Sequence, residues 1–268
     1  MLRSEKYEDL TIITTGRGIL GVYIYPVCSY LLEGLLIDTG TKICEDQLLN
    51  FLEDKELNVV INTHAHEDHV GNNAVLKEKR GVKIYAHEKA LGRIEEPERL
   101  NLRRYQKLTW GVPNPSHPKE IPSSEIKTHS HVLEVIHTPG HSPGHVCLYE
   151  PVKKWLFSGD LHVGKLSLEA QPFENLIKII DSLRKLTNYD VREIFCGHQG
   201  HLPEGNKIIQ EKLSFLEGAK ERAEELQAEH VPLKEITKQI AGKETFMKVI
   251  TGGHMSKLNG IKSLLQVE

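Results

Sequence analysis

The chain carries its densest group of metal-binding side chains in the run Thr63-His64-Ala65-His66-Glu67-Asp68-His69. Three imidazoles and an aspartate carboxylate follow directly on the apolar residues 59–61, so they are expected in a loop at the end of a buried strand. Imidazole nitrogen and carboxylate oxygen are the ligands that hold hydrolytic transition metals. His64 and His66 are two positions apart and point the same way in extended geometry. The run therefore predicts a metal site of catalytic type, and it says little about the substrate.

Composition and charge narrow the class of protein without defining its function. The chain has 268 residues, 39% of them hydrophobic, which is enough to bury a substantial core without disulfides. A net charge of -3 gives no general attraction to nucleic acid or to an anionic membrane. The four cysteines form no CxxC pair and the first ten residues are polar, so we expect reduced thiols in a cytoplasmic protein. No apolar run approaches the roughly 20 residues that span a bilayer, so no membrane partner is expected.

Hydrophobic periodicity divides the chain into a larger and a smaller part. Residues 10–90 and 130–200 mix short apolar runs with helical spacings, which predicts a layered α/β fold. The amphipathic patterns from residue 207 onward predict helices. We therefore expect a catalytic domain over residues 1–205, with a helical C-terminal extension over residues 206–268 packed on it.

Residues 95–122 form a long segment that is rich in charge and in proline. A loop of this length in a compact domain is usually functional or disordered. The segment is expected either to lie over the site as a mobile excursion or to form a partly helical surface insertion. Its aromatic residues Tyr105 and Trp110 are candidates for lining a substrate entrance.

Further metal-binding side chains occur where other predicted strands run into loops. They lie in residues 36–40, 137–145, 157–160 and 196–198, which contain Asp38, His141, Asp160 and His198, respectively.

Together with the HxHxDH pattern of residues 64–69, these segments resemble the metallo-beta-lactamase superfamily over roughly residues 10–205. The resemblance implies a four-layer αβ/βα sandwich with a metal site at one edge, between two facing sheets. It also implies a role for each side chain: a first metal held by His64, His66 and His141, a second held by Asp68, His69 and His198, Asp160 between both metals, and Asp38 hydrogen-bonded to a ligand or to the ligand loop from behind.

Two metals at such a site can share a hydroxide that is nucleophilic near neutral pH. This predicts hydrolysis at an ester-like carbon or at phosphorus, with Asp68 acting both as a ligand and as the residue that orients the nucleophile. Zinc is the expected metal, and iron or manganese stays open because a set of nitrogen and oxygen ligands does not select among them. The alternative is a structural metal site in a binding protein, but structural zinc sites usually saturate four ligands, often with cysteine.

The resemblance leaves several substrates open. Asp160 argues against a metallo-beta-lactamase proper, which typically lacks an aspartate at this position, and His66 argues against the flavin-linked di-iron oxidoreductases, which carry a glutamate there. Hydrolysis of a thioester, as in glyoxalase II, fits residues 137–145 and the helical extension. An endoribonuclease or phosphodiesterase similar to the β-lactamase-like protein 2 group, a lactonase and a single-iron persulfide dioxygenase are the alternatives. A small-molecule substrate is expected first, RNA is the other possibility, and a homodimer stays open.

Several side chains outside the ligand set are candidates for the substrate pocket. His162 and His201 follow ligand segments closely. His254, Ser256 and Asn259 surround a predicted helix N-cap at Ser256, so they either reach the mouth of the site or only cap a packing helix. Glu67 is expected to be solvated, because it points away from His66.

Overall fold

The structure is a computed structural model that describes residues 1–161 and 166–267. Within these ranges the strands form a seven-stranded and a six-stranded sheet. The strands of the first sheet, side by side in chain order, are β1 (Leu2–Tyr7), β2 (Leu10–Ile19), β3 (Val22–Leu32), β4 (Leu35–Ile37), β5 (Val59–Ile61), β6 (Lys83–Ala86) and β7 (Lys119–Glu120). The strands of the second sheet, also side by side in chain order, are β8 (Glu125–Lys127), β9 (Val132–His137), β10 (Val146–Glu150), β11 (Trp155–Gly159), β12 (Glu193–Cys196) and β13 (Gly200–Pro203).

Helices cover the outer faces of both sheets. In chain order they are α1 (Glu45–Leu52), α2 (Asn73–Arg80), α3 (Glu88–Glu95), α4 (Arg104–Thr109), α5 (Leu176–Leu186), α6 (Gly205–Ala228), α7 (Leu233–Ala241), α8 (Phe246–Ile250) and α9 (Lys257–Leu265). Short 3-10 helices lie at Lys42–Cys44 and Pro97–Leu100. In the described part of the chain, no helix combines the length and the apolar character needed to traverse a membrane.

Three apolar clusters define four layers, so the predicted αβ/βα sandwich is confirmed. The middle cluster joins the facing sides of the two sheets, for example Tyr30 with Phe157 and Phe195. A second cluster packs α1 and α2 on the outer face of the first sheet. The third packs α5, α6, α7 and α9 on the outer face of the second sheet, where Leu183 and Leu216 are fully buried. The C-terminal helices therefore share a core with the second sheet, while the domain boundary at residue 205 stays a prediction.

Strand β4 shows how the sequence directs these layers. Its three residues are all buried, and Leu35 and Ile37 belong to the middle cluster whereas Leu36 belongs to the outer one, as alternation along a strand requires. Glu33-Gly34 forms the tight turn between β3 and β4, since Leu32 pairs with Leu35. A strand with both faces buried reads as a continuous apolar run, as this one does.

Parallel pairing aligns the strand ends that carry the predicted ligands. Strands β4, β5 and β6 are mutually parallel, and β11 runs parallel to β12. Asp38 follows β4 and the histidine run follows β5, while Asp160 follows β11 and His198 follows β12. Because the carboxyl ends of parallel strands lie at one edge of a sheet, these side chains collect at one edge of the sandwich.

Residues 95–122 are partly helical and also lie over this edge. They contain the 3-10 helix Pro97–Leu100, α4 and β7. Gln106 and Trp110 of this segment line the pocket at the predicted ligands. The segment is therefore partly helical and lies over the site, while its mobility stays a prediction.

Candidate metal centre

The structure brings the seven predicted ligands to one point, with Asp160 in the middle. Asp160 Oδ2 lies 3.9 Å from His64 Nε2 and 3.7 Å from His141 Nε2. On the other side, His69 Nε2 is 3.3 Å from Asp160 Oδ1, and His198 Nε2 is 3.0 Å from Asp160 Oδ2. This is the position that a carboxylate between two cations would take.

Asp68 and His66 complete the two sides of this cluster. Asp68 Oδ2 lies 3.5 Å from His198 Nε2 and 4.0 Å from His69 Nε2. His66 Nδ1 lies 2.8 Å from His141 Nε2. The potential ligand atoms of His64, His66 and His141 lie within 4.8 Å of one another, and the same holds for Asp68, His69 and His198. The two triads are those that the resemblance implied.

Four of the imidazoles direct Nδ1 outward to an acceptor. The pairs are His64 with Thr63 Oγ1 at 3.0 Å, His69 with Asp38 Oδ2 at 2.7 Å, His141 with Glu174 Oε1 at 2.5 Å, and His198 with the carbonyl oxygen of Pro26 at 2.8 Å. A neutral imidazole that carries its proton on Nδ1 has its lone pair on Nε2. The surroundings therefore turn four Nε2 atoms toward the centre, which is the arrangement that orients metal-binding histidines.

Two glycines allow the strand ends to approach this closely. A Cβ at Gly197 would lie 2.3 Å from Asp160 Oδ1 and 2.8 Å from His69 Cε1. Gly159 has a φ of +47°, and a Cβ there would lie 2.7 Å from His145 Nε2. Both positions need glycine, which explains why Asp160 and His198 each follow a glycine in the sequence.

His145 supports Asp160 rather than joining the ligands. Its Nε2 accepts a hydrogen bond from the backbone N–H of Asp160 at 3.1 Å, and its Nδ1 lies 2.9 Å from Thr138 Oγ1. Burial lowers the pKa of His145 to about 3, so the ring is neutral and Nε2 can accept.

The surroundings shift the pKa values of the clustered histidines in different directions. Burial lowers the pKa of His64 well below its usual range, and the neighbouring His69 and His66 lower it further. Burial also acts to lower the pKa of His69, but Asp160, Asp38 and Asp68 outweigh it and raise that pKa. For Asp160 the positive His198 and His69 overcome burial and lower the pKa of the carboxyl. His64 is thus held neutral and Asp160 ionised, which are the forms in which these two groups bind metal.

Several buried polar atoms in the cluster make no hydrogen bond of good geometry, and this tests whether the residues fit a metal. In the described ranges, the buried atoms without a hydrogen bond include His64 Nε2, His69 Nε2 and Asp160 Oδ1. Leaving such groups unsatisfied costs about 1–3 kcal/mol each, and they all face the same point. The donor set fits a divalent cation.

Comparison with known proteins agrees with this geometry. Residues 24–198 match the family model of the metallo-beta-lactamase superfamily. The chain therefore belongs to the metallo-beta-lactamase superfamily and is a metal-dependent hydrolase.

Individual relatives cover different parts of the chain. The hydroxyacylglutathione hydrolase GloC of Haemophilus influenzae is 31% identical over 185 residues, which are 64% of this chain and 82% of that protein. The beta-lactamase-like protein 2 homolog of Caenorhabditis elegans is 22% identical over 275 residues, which are 98% of this chain and 85% of that protein. The crystal structure of a beta-lactamase domain protein from Burkholderia ambifaria superposes with a TM-score of 0.74 at 14% identity, and it covers 98% of this chain and 87% of that one. This likeness shows that the fold extends through the C-terminal helices.

The predicted pocket residues fall into different places. Tyr105 and Trp110 line the pocket at the ligands, and His254 lines a larger cavity beside it. Ser256 caps α9, and Asn259 donates to the carbonyl oxygens of Ala170, Gly253 and His254, so these two hold the turn that carries His254.

The other two predicted pocket histidines do not join them. His201 Nε2 pairs with Glu193 at 2.6 Å, and its ring stacks on Phe195, so the structure does not bring it to the pocket. His162 lies outside the described residues.

Three residues at the site were missed by sequence reasoning. The expectation that Glu67 is solvated is wrong, because it is 2% exposed and Gln106 Nε2 donates to its Oε1 at 2.8 Å. Glu174 orients His141, and Tyr25 lines the ligand pocket with its ring 4.8 Å from that of His198. Glu67, Glu174 and Tyr25 each reach the site through contacts with residues far away in the sequence. Neither Glu174 nor Tyr25 belongs to a recognisable motif.

Glu174→Gln is expected to lower the affinity for metal about tenfold to a hundredfold. Glu174 Oε1 accepts from His141 Nδ1, and Oε2 accepts from the backbone N–H of Gln171 at 2.8 Å. An amide offers one acceptor oxygen, so one of these donors would face an NH₂ group. Competition with a chromogenic chelator measures the effect. Asp181→Asn on the exposed side of α5 is the matched control, and unchanged metal affinity in Glu174→Gln would refute the positioning role.

Proposed function

We propose that the chain is a dinuclear metal-dependent hydrolase of thioesters or similarly activated esters. The observation that carries the proposal is the outward pairing of four Nδ1 atoms, which leaves four Nε2 atoms and the carboxylate of Asp160 facing one centre. His64, His66 and His141 would hold one cation, Asp68, His69 and His198 the other, and Asp160 would contact both. Seven ligand candidates without a cysteine favour open coordination over a saturated structural site.

Divalent cations in these two places would activate water as a nucleophile and polarise the bond that is attacked. Zinc is the expected metal, and iron or manganese fits the same nitrogen and oxygen donors. The protein itself positions the ligands through Asp38, Thr63 and Glu174. Asp68 lies at the open side of the cluster, where it lines the pocket together with Tyr25 and can hold the nucleophile's proton by a hydrogen bond.

The thioester assignment is supported by similarity to a protein named hydroxyacylglutathione hydrolase. A second candidate, hydrolysis of a phosphodiester including RNA, is supported by the relative that aligns along 98% of this chain, the beta-lactamase-like protein 2 homolog. The hydroxyacylglutathione hydrolase has the higher sequence identity, 31% against 22%, so we place the thioester first among the substrate classes.

Protein of known metal content should be assayed against four substrate types. They are a hydroxyacyl thioester of glutathione, a lactone, bis(p-nitrophenyl) phosphate and a structured RNA. We expect two equivalents of metal and the highest kcat/KM on the thioester, with loss of turnover after chelation. Faster cleavage of phosphate diester or RNA would replace the thioester assignment with the second candidate, and faster opening of the lactone would replace it with a lactonase. One tightly held, inert equivalent would favour a structural site.

A further inference from the structure

A cavity of about 410 Å³ opens beside the pocket at the metal centre. His66, Glu67 and Gln106 line both the cavity and the pocket, so the two spaces adjoin each other. A substrate whose reacting bond lies at the ligands can therefore extend into the cavity. Pockets of this size commonly fix a ligand through a few polar groups set in an apolar wall.

The lining of the cavity combines cationic and apolar side chains. The cationic residues are Arg93 at the end of α3, Arg99 in the 3-10 helix that follows, and Arg103 just before α4. The apolar residues are Leu100, Pro172 and Phe173. Phe173 is 46% exposed and its ring lies 5.7 Å from that of His66, so it forms an apolar surface next to the ligands.

The three arginines are not equivalent. Arg99 makes two hydrogen bonds to the carboxylate of Glu96, at 2.8 and 2.7 Å. The side chains of Arg93 and Arg103 make no hydrogen bond or ion pair with any residue in the described ranges. Two guanidinium groups are thus available to a ligand, and arginine matches carboxylate and phosphate with paired N–H donors.

Contacts with the ligand loop hold Arg103 in place. Its backbone N–H donates to Gln106 Oε1 at 2.9 Å, while Gln106 Nε2 donates to Glu67 Oε1 at 2.8 Å. Tyr105 Oη also lies 2.9 Å from His254 Nδ1, on the C-terminal side of the cavity. After burial, the charge of Arg103 is the next cause that lowers the pKa of His254, which places the guanidinium near that wall.

We propose that Arg93 and Arg103 form a binding site for an anionic group of the substrate, a carboxylate or a phosphate. The inference rests on the proposed function and defines the substrate class further. The substrate is a thioester that carries an anionic group on one side of the reacting bond, with an apolar segment that packs on Phe173. Binding of the anion places the reacting bond at the ligands, so anionic thioesters are favoured over uncharged ones of the same length.

The test compares thioesters of one acyl group on three thiols. The thiols are N-acetylcysteamine, which is neutral, 3-mercaptopropionate, which carries a carboxylate, and phosphocysteamine, which carries a phosphate. Thiol release by the metal-loaded protein gives kcat/KM for each. Arg93→Met and Arg103→Met are the test variants, and Arg104→Met is the matched control, because Arg104 is the next residue, exposed, and absent from the lining of the cavity.

We expect one or both anionic thioesters to exceed the neutral one, and the better anion identifies the natural group. Arg93→Met and Arg103→Met should each lower kcat/KM for that anionic thioester by about tenfold or more. Neither variant should change the neutral thioester, and Arg104→Met should change none. Equal effects of Arg103→Met on neutral and anionic thioesters, or no effect on either, would overturn the anion site while leaving thioester hydrolysis in place.

A binding measurement separates this proposal from the proposed function. If no thioester is cleaved, thioester hydrolysis fails, but the anion site can still be measured with the thioether S-ethyl-3-mercaptopropionate and with phenyl phosphate, by calorimetry on the metal-loaded protein. Weaker binding by Arg103→Met than by Arg104→Met would support the site. Equal binding by the two variants would overturn it.

Discussion

Replacement of Asp68 by asparagine is expected to lower kcat by about a hundredfold to ten-thousandfold, the range for losing a group that holds a proton in the transition state. Asp68 lies in the turn between His66 and α2, and its Oδ2 faces His198 Nε2 at 3.5 Å. The amide keeps the size of the side chain but removes the negative charge and one acceptor. Asp68 lines the ligand pocket, so the charge and the acceptor are lost at the place where substrate and nucleophile would meet.

The fold should survive this change. Burial is the main cause that raises the pKa of Asp68, so the folded chain already disfavours the ionised form when no cation is present. Urea unfolding of the metal-free protein should therefore give a free energy of unfolding for Asp68→Asn that is equal to or above that of the wild type. Asp54→Asn, in which an 82% exposed side chain loses the same charge, is the control for kcat. Wild-type turnover in Asp68→Asn would remove this residue from the catalytic centre.

The fold and the ligand cluster were largely predictable because both depend on local patterns. Leu35, Leu36 and Ile37 form an apolar run between turn residues, and Asp38 closes it. The parallel alignment of β4 with β5 then follows from ordinary α/β geometry and brings Asp38 to the histidine run. Short-range spacing therefore defined each ligand segment, and the resemblance supplied the pairing between the segments.

The surroundings of the ligands were less predictable because they depend on contacts across long stretches of chain. Glu67 is buried because α4, about 40 residues later, places Gln106 over it. Glu174 reaches His141 from the turn before α5. Of the two arginines of the proposed anion site, Arg93 lies in α3 and Arg103 lies in the segment whose sequence reads only as charged and proline-rich. Such side chains look solvated in the sequence, and their places beside the site depend on how distant segments pack.

Asp38→Asn is expected to lower metal affinity at both sites at once, by about tenfold to a hundredfold or more. Asp38 is 2% exposed, and its Oδ1 accepts from the backbone N–H of Thr63 at 2.8 Å. Its Oδ2 accepts from Thr63 Oγ1 at 2.7 Å and faces His69 Nδ1 at 2.7 Å. A hydroxyl has a single proton, and Thr63 gives it to Asp38, so Thr63 Oγ1 must accept from Nδ1 of His64 at 3.0 Å. One carboxylate thus sets the proton position of His69 directly and of His64 through Thr63.

An amide at position 38 would reverse the proton positions on His69 and His64. Its NH₂ group would face Thr63 Oγ1 and His69 Nδ1, so Nδ1 of His69 would have to accept and its proton would move to Nε2, the atom that faces the centre. The Thr63 hydroxyl would accept from the amide and donate to His64, with the same result there. Thr63→Val removes only the link from Asp38 through Thr63 to His64. Chelator competition should therefore show a smaller loss of metal affinity for this variant than for Asp38→Asn. Asp38→Ala should in addition destabilise the fold by about 3 kcal/mol or more, because three buried donors lose their acceptor. If Asp38→Asn bound both metal equivalents with wild-type affinity, proton placement by this carboxylate would be excluded, and Asp38 would be left as a purely structural link between β4 and the histidine loop.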